Sequence, residues 1–294
     1  MPDHIVKAYD KELESLGRKI AEMGGIAEKM LSDAMDALID FDTRLAQATV
    51  DSDPRLDLLQ RDIEEQAILT IARRQPMAVD LREIIATIRI SGDLERIGDL
   101  AKNIAKRAIK LAGEMHIPRA TIGLRSMHES AAMLLKEVLD AYAERDAEGA
   151  RAVWIHDADL DALEDSVFRD LLTFMMEDPR NISFCTHLLF VSKNIERIGD
   201  HATNIAETVV YLVTGETFSL EIIGKQHAQG RLVLNHENAR RRCGSYPACR
   251  CRGRAAFIDI LQFFSHVQTT VVGASDRVVR PLGRSIGKVS PVTR

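Results

Sequence analysis

The chain has 294 residues, of which 46% are hydrophobic, 28% charged and only 5% aromatic, with a formal net charge of −5. This is the composition of a globular protein, long enough for one large domain or two ordinary ones, and no window approaches the eighteen uninterrupted apolar residues of a membrane-crossing helix. The charge is divided: residues 221–294 hold 13 Lys+Arg against 4 Asp+Glu, whereas residues 1–220 hold 26 against 40, which speaks against a nucleic-acid-binding body.

The opening "MPDHIVKAYDKELESLG" has no apolar signal core, so a cytosolic protein is expected. Cys185 is the only cysteine before the tail; there is no disulfide framework, which suits a reducing compartment.

In chain order, residues 5–40 read as one long amphipathic helix, weakened locally at Gly24-Gly25. Residues 44–74 form a second helical stretch with a candidate break at "DSDP", Asp51 to Pro54. The turn "RQP", Arg74 to Pro76, precedes a third helix from about Met77 to Leu111, with Pro suited to its first position. After a linker at "GEMHIP", Gly113 to Pro118, the pattern restarts with helices over about 121–143, 148–175 and 182–213, the last two joined by "EDPRN" and the last stopped by Gly215. The order helix, helix, turn, helix occurs twice. The fold expected is therefore all-α, two tandem antiparallel three-helix bundles over 1–113 and 119–218, followed by a basic Gly/Arg-rich tail over 221–294.

The third helix of each repeat carries the same text. "DLERIGDLAKNIAKR", Asp93 to Arg107, and "NIERIGDHATNIAET", Asn194 to Thr208, agree at nine of fifteen positions without a gap. Leu94, Ile97, Ala101, Ile104, Ala108 and Leu111 recur by threes and fours, as do Ile195, Ile198, Ala202, Ile205, Val209 and Leu212; both series read as core seams. With Leu94 as the seam and about 100° per residue, Glu95 falls near 100°, Asp99 near 140° and Asn103 near 180°. They form a stripe on the exposed side, repeated as Glu196, Asp200 and Asn204. Two carboxylates at i and i+4 repel by a few tenths of a kcal/mol, and Gly98 and Gly199 each cost about 1 kcal/mol against Ala. A surface of purely structural use does not need these costs. Arg96 and Arg197, one residue further on, are read as pointing elsewhere. The glycine, about 40° from the seam by the same rotation, suits a close approach of the next helix.

The preceding helix supplies a matching set. "DPRLD" places Asp53 and Asp57 four apart, and "DADLD" places Asp157 and Asp161 four apart. If each helix pair folds back about Gln75 and Asp178, Glu95 lies beside residue 55 or so and Glu196 beside residue 160 or so, and the acidic pairs face one another. The bland reading of such residues is a solvated acidic face with scattered ion pairs; the sharper one is two metal sites, one per bundle. Oxygen donors of this kind suit Mg, Ca or Mn, and bridging carboxylates also accommodate iron or zinc. Asn103 and Asn204 are candidate additional ligands, while His201, beside Asp200, is read as exposed. No nucleophile-and-base pair, phosphate-binding loop or dinucleotide fingerprint is present. A carboxylate-bridged metalloenzyme on a helical bundle is the alternative, although neither repeated helix carries the Glu-x-x-His pair of the closed di-metal bundles.

Tandem bundles with "ERIGD" followed by "NIA", together with "ARRQPMAVDLR" (Ala72–Arg82) and "FMMEDPRNI" (Phe174–Ile182), resemble the PhoU family over about residues 5–218. The resemblance implies a regulator and not an enzyme. It implies repression of the phosphate-starvation response when phosphate is plentiful and restraint of phosphate uptake. The implied partners are the ATPase subunit of a phosphate ABC transporter and a membrane sensor histidine kinase, with homodimerisation and no direct nucleic-acid binding. It further implies a cytoplasmic protein, peripheral at the inner membrane through its partners. A multinuclear metal cluster is implied at Glu95, Asp99, Glu196 and Asp200 with the facing Asp53, Asp57, Asp157 and Asp161. The tail departs from this pattern. "RRRCGSYPACRCRGR", Arg240 to Arg254, is a poor zinc match, and the segment is read as disordered or foreign to the family, such as read-through in a shifted frame.

Overall fold

The computed structural model describes residues 7–113 and 118–216; the expectations for the tail and for most of the 113–118 linker lie outside them. Six helices follow in order: α1 (Lys7–Asp40), α2 (Thr43–Arg74), α3 (Ala78–Leu111), α4 (Ile122–Glu144), α5 (Ala147–Glu177) and α6 (Ile182–Thr214). Short 3-10 turns at Pro118–Thr121 and Pro179–Asn181 lead into α4 and α6. Helices α1, α2 and α3 pack on one another, as do α4, α5 and α6. The third helices α3 and α6 then pack together, with α1 also touching α4. The two bundles thus share one seam.

The periodic apolar series build the interior. Every seam residue named for α3 and α6 is buried, from Leu94 to Leu111 and from Ile195 to Leu212. Each fully buried Leu or Ile contributes about 2 kcal/mol of apolar transfer. Because α3 and α6 also face each other, they bury a wider arc than a surface helix does, including Ser91, Ser192, Gly98 and Gly199. The two serine hydroxyls are satisfied within their own helices, donating to the carbonyls of Ile88 and Leu189.

Two local expectations are revised, at Pro54 and at the start of α3, and the single long α1 is found. The helix does not break at "DSDP": α2 runs through Pro54, whose ring faces outward on an exposed turn, so one lost backbone bond is tolerated. Helix α1 is unbroken at Gly24-Gly25; a Cβ at Gly24 would come within 2.9 Å of Leu139, so the glycine marks where α4 crosses closely. Helix α3 starts at Ala78, with Pro76 in the preceding turn. That turn uses the three residues 75–77, with Gln75 in the left-handed region at φ 48° and donating its N–H to Ile71 O.

Candidate metal-binding faces

The Asp-x-x-Leu-Asp leucines explain the helix glycines. A Cβ at Gly98 would run into Leu56 Cδ1, and one at Gly199 into Leu160 Cδ2 and, at 2.7 Å, Asp157 Oδ1. Leucine of one helix seated on glycine of the next fixes the α2–α3 and α5–α6 registers and brings the acidic pairs into apposition. In the first bundle Lys102 opposes Asp53, so the register lies about one turn beyond a fold-back at Gln75, because the turn itself takes three residues.

At the first face Asp53 of α2 meets Asp99 of α3 through a lysine. Lys102 Nζ donates to Asp53 Oδ2 at 2.7 Å and to Asp99 Oδ1. The group is sunk between the helices: the side chains of Asp53 and Lys102 are 10% and 20% exposed. Burial works against the ammonium, yet its hydrogen bonds to Asp53 and Asp99 and their negative charges outweigh it and push the Lys102 pKa up to about 12. Glu95 is 17% exposed; burial first, then the charges of Asp99, Asp57 and Asp53, raise its pKa above the usual carboxylate value. Glu95 and Asp99 are thus half-buried in a groove, whereas Asn103 at the end of the stripe is exposed. Arg96 does not point away, but turns back to within 3.6 Å of Glu95 and 3.5 Å of Asp99, since a long side chain easily spans one turn.

The second face has the same frame and a different charge balance. In the aligned motifs "LERIGDLAKNIA" and "IERIGDHATNIA", Thr203 stands where Lys102 does, and its hydroxyl donates to Asp200 O of its own helix. In "DPRLDLLQ" and "DADLDALE", Glu164 replaces Gln60. One cation is exchanged for a neutral group and one amide for an acid. Lys193 partly compensates, donating to Glu196 Oε1 at 2.6 Å. The other oxygen of that carboxylate, Glu196 Oε2, is buried without a hydrogen-bond partner. Asp157 is pushed up to about 6, by burial first and then by Asp161, Asp200 and Glu196. Asp161, Glu164 and Glu196 are raised as well, each chiefly by burial and then by neighbouring acids.

The sequence reading therefore brings together Asp53, Glu95 and Asp99 with Asp57 nearby, and Asp157, Asp161, Glu196 and Asp200 around one groove. It missed Lys102, Glu164 and Lys193. The signal for Lys102 was its place one turn after Asp99, and for Glu164 its place seven residues after Asp157 on the same side of α5. The asparagines behave otherwise. Asn103 is exposed with no side-chain bond to the carboxylates, and Asn204 crosses the seam. It lines a hollow of about 440 Å³ beside the first face, shared with Gln60, Arg89, Glu95, Arg96 and Glu207. His201 is neither exposed nor turned to Asp200; its Nδ1 lies 2.9 Å from Asp93 Oδ1 across the seam, and its side chain is 19% exposed.

All donors at both faces are oxygens, the chemistry that hard or carboxylate-bridged cations require. Among the described residues no three His, Cys, Asp or Glu side chains already converge as a ready-made chelate. In the first face an ammonium stands between two of them. The donor chemistry of the second face suits a cation, since a buried carboxylate oxygen there is unpartnered and burial and neighbouring acids raise the carboxyl pKa values, but its carboxylates would have to draw together to hold one. At the first face a cation fits only by displacing Lys102.

The acidic faces stand on a recurring protein frame. The family model for the PhoU domain matches twice, over residues 20–108 and 124–209. The chain belongs to the PhoU family. It is 57% identical over 213 residues to the phosphate-specific transport system accessory protein PhoU homolog of Rhizobium meliloti (strain 1021), covering 72% of this chain and 90% of that one. It is 50% identical over 216 residues to the protein of the same description from Caulobacter vibrioides (strain NA1000 / CB15N), covering 74% and 94%. Among solved structures it resembles PhoU from Pseudomonas aeruginosa, with TM-score 0.68 and 42% identity over 71% of this chain and all of that one. The phosphate transport system regulatory protein PhoU from Streptococcus pneumoniae matches with TM-score 0.67 and 27% identity over 72% and 100%. The PhoU match lies within the two bundles and stops short of the basic tail.

Proposed function

We propose that this chain is the accessory, regulatory component of a phosphate-specific transport system. It represses the phosphate-starvation response and restrains phosphate uptake when phosphate is plentiful. It acts as a metal-binding adaptor between the ATPase subunit of a phosphate ABC transporter and a membrane sensor histidine kinase. It works in the cytoplasm, as a homodimer, reaching the inner membrane through these partners; no helix among the described residues is long and apolar enough to cross a membrane. The observation that carries the reading is the 57% identity to a relative described as a phosphate-specific transport system accessory protein, spread across both bundles.

The reading is of a non-enzyme. Both acidic faces lie along the outer groove of a bundle, where they meet a partner surface more readily than they enclose a substrate. The ligands proposed are Asp53, Asp57, Glu95 and Asp99 in one bundle, and Asp157, Asp161, Glu196 and Asp200 in the other. Glu164 joins the second set. Iron or zinc in a multinuclear cluster is the expected occupant, with Mg, Ca or Mn as the other oxygen-seeking candidates. A bound cation supplies positive charge that holds the carboxylates of two helices together, and so favours one of the assemblies the bundles enter.

Deleting the gene and measuring phosphate-regulon transcription in high phosphate tests the regulatory reading. Derepression is expected, and normal repression would defeat it. The metal reading is tested separately, by elemental analysis of purified protein carrying Glu95→Gln and Asp200→Asn. Reduced metal content is expected; an unchanged content removes these residues as ligands while leaving the regulatory reading intact.

A further inference from the structure

The seam between α3 and α6 is charge-polarised along its length. From Ala101 to Leu111, α3 carries Lys102, Lys106, Arg107 and Lys110 and no acid; from Ile182 to Ile195, α6 carries His187 and Lys193 and no acid. The two stretches pack antiparallel, joined where Arg107 Nη1 lies 3.2 Å from His187 Nδ1. Lys102 and Lys193 are engaged by the acidic faces. Arg107 is not: among the described residues it makes no ion pair. Its guanidinium lies over the Phe190 ring at 4.2 Å from the centroid. Its Nε is buried with no hydrogen-bond partner. Burial lowers its pKa, and no carboxylate opposes that shift.

A half-buried guanidinium without a counter-charge is costly. It is stranger still in a body where acids outnumber bases 40 to 26 over residues 1–220. Lys106 and Lys110 are one turn apart on the same helix, both exposed, and neither makes an ion pair among the described residues. A planar guanidinium held flat on an aromatic ring presents a fork that matches two oxygens of an oxyanion, and ammonium groups on long stems can reach the rest.

We propose that Arg107, Lys106 and Lys110 form an anion site at this end of the seam, with Phe190 and His187 fixing the guanidinium, and that its ligand is a small tetrahedral oxyanion, phosphate or sulfate. The site is distinct from both acidic faces and does not rest on the regulatory reading. Its Arg107 touches both bundles, so occupancy ties α3 to α6.

The test is calorimetric titration of the full chain with inorganic phosphate, and separately with sulfate, at matched ionic strength, alongside thermal unfolding in each anion and in chloride. Saturable binding and a raised unfolding temperature are expected, with the relative affinities showing which anion the site prefers. Arg107→Met keeps the packing on Phe190 and removes the charge. It should weaken binding about ten-fold or more, while unfolding in chloride at the same or a higher temperature, which a structural role for Arg107 would not give. Should that variant fail to fold, Lys106→Gln with Lys110→Gln, both on exposed positions, must weaken binding severalfold. Absence of saturable binding of either anion overturns the proposal, as does unchanged affinity in Arg107→Met or, where that cannot be read, in the double lysine variant.

Discussion

In the first bundle a lysine sits between carboxylates of two facing helices; in the second, a threonine holds its place and a further glutamate replaces a glutamine. The helices, the leucine-on-glycine register and the paired acids are otherwise repeated. The first face is partly neutralised from within by Lys102, with Arg96 alongside, two cations against Asp53, Asp57, Glu95 and Asp99. The second keeps five carboxylates, Asp157, Asp161, Glu164, Glu196 and Asp200, against Lys193. Two copies of one motif thus differ in charge balance, one with a lysine set between its carboxylates and the other with an excess of carboxylates.

The largest effect should come from breaking the internal cation. Lys102→Met leaves Asp53, the one buried acid among the described residues, without its partner, and should destabilise the protein by about 2 kcal/mol. Lys193→Met, at a lysine 38% exposed, should cost about 0.5 kcal/mol or less. Urea unfolding of both variants measures the difference, and equal losses would erase the contrast between the faces. The reciprocal change, Thr203→Lys, should stabilise metal-free protein by about 1 kcal/mol and weaken Mn²⁺ binding at the second face about ten-fold, read by calorimetry.

Next in size is pH. Asp157 is pushed up to about 6 in the folded protein, so its contribution to stability is fully present below its unfolded value near 4 and is lost as pH rises through 6. Glu95, Asp161, Glu164 and Glu196 shift in the same direction. The acids held below their ordinary values, Glu12, Asp42 and Asp178, act in the opposite sense, but their gain is complete by about pH 5. His128, whose pKa burial lowers, gains stability as pH rises through the same range, so the Asp157 contribution is read as a difference: relative to Asp157→Asn, chelator-treated parent protein should lose about 1 kcal/mol between pH 5 and pH 7.5. Parallel pH profiles of parent and variant would sink the claim that the second face carries uncompensated charge.

The sequence made the architecture legible because the relevant signals are local. Seam residues spaced by threes and fours declare a buried stripe, and a duplicated motif declares a duplicated element. The apposition of "DPRLD" with "LERIGD" also followed from antiparallel counting, to within a turn. What stayed hidden depends on side-chain reach and on the packing of one bundle against the other. Lys102 looks like any solvated helix lysine until α2 supplies Asp53. Arg96 points away by helical angle, yet its length returns it to Glu95. His201 and Asn204 belong by periodicity to the second bundle's stripe, but the α3–α6 seam hands them to Asp93 and to the hollow beside Glu95. A one-helix projection cannot contain that seam.

The smallest expected effect separates packing from charge at the two glycines. Ala at either position gains up to about 1 kcal/mol of helix propensity and loses a comparable amount to overpacking, so the net change in stability should stay below about 1 kcal/mol in both bundles. Their consequences for cation binding should differ. At Gly98 a methyl group meets only the end of Leu56, with Met30 Sδ at 3.8 Å, whereas at Gly199 it meets Leu160 and also Asp157 Oδ1 at 2.7 Å. Gly199→Ala must therefore move a carboxylate of the second face and should weaken Mn²⁺ binding severalfold. Gly98→Ala should leave it unchanged. If both substitutions weaken binding equally, the glycine is acting through helix spacing alone, and the direct contact between the second helix glycine and its acidic partner has no consequence.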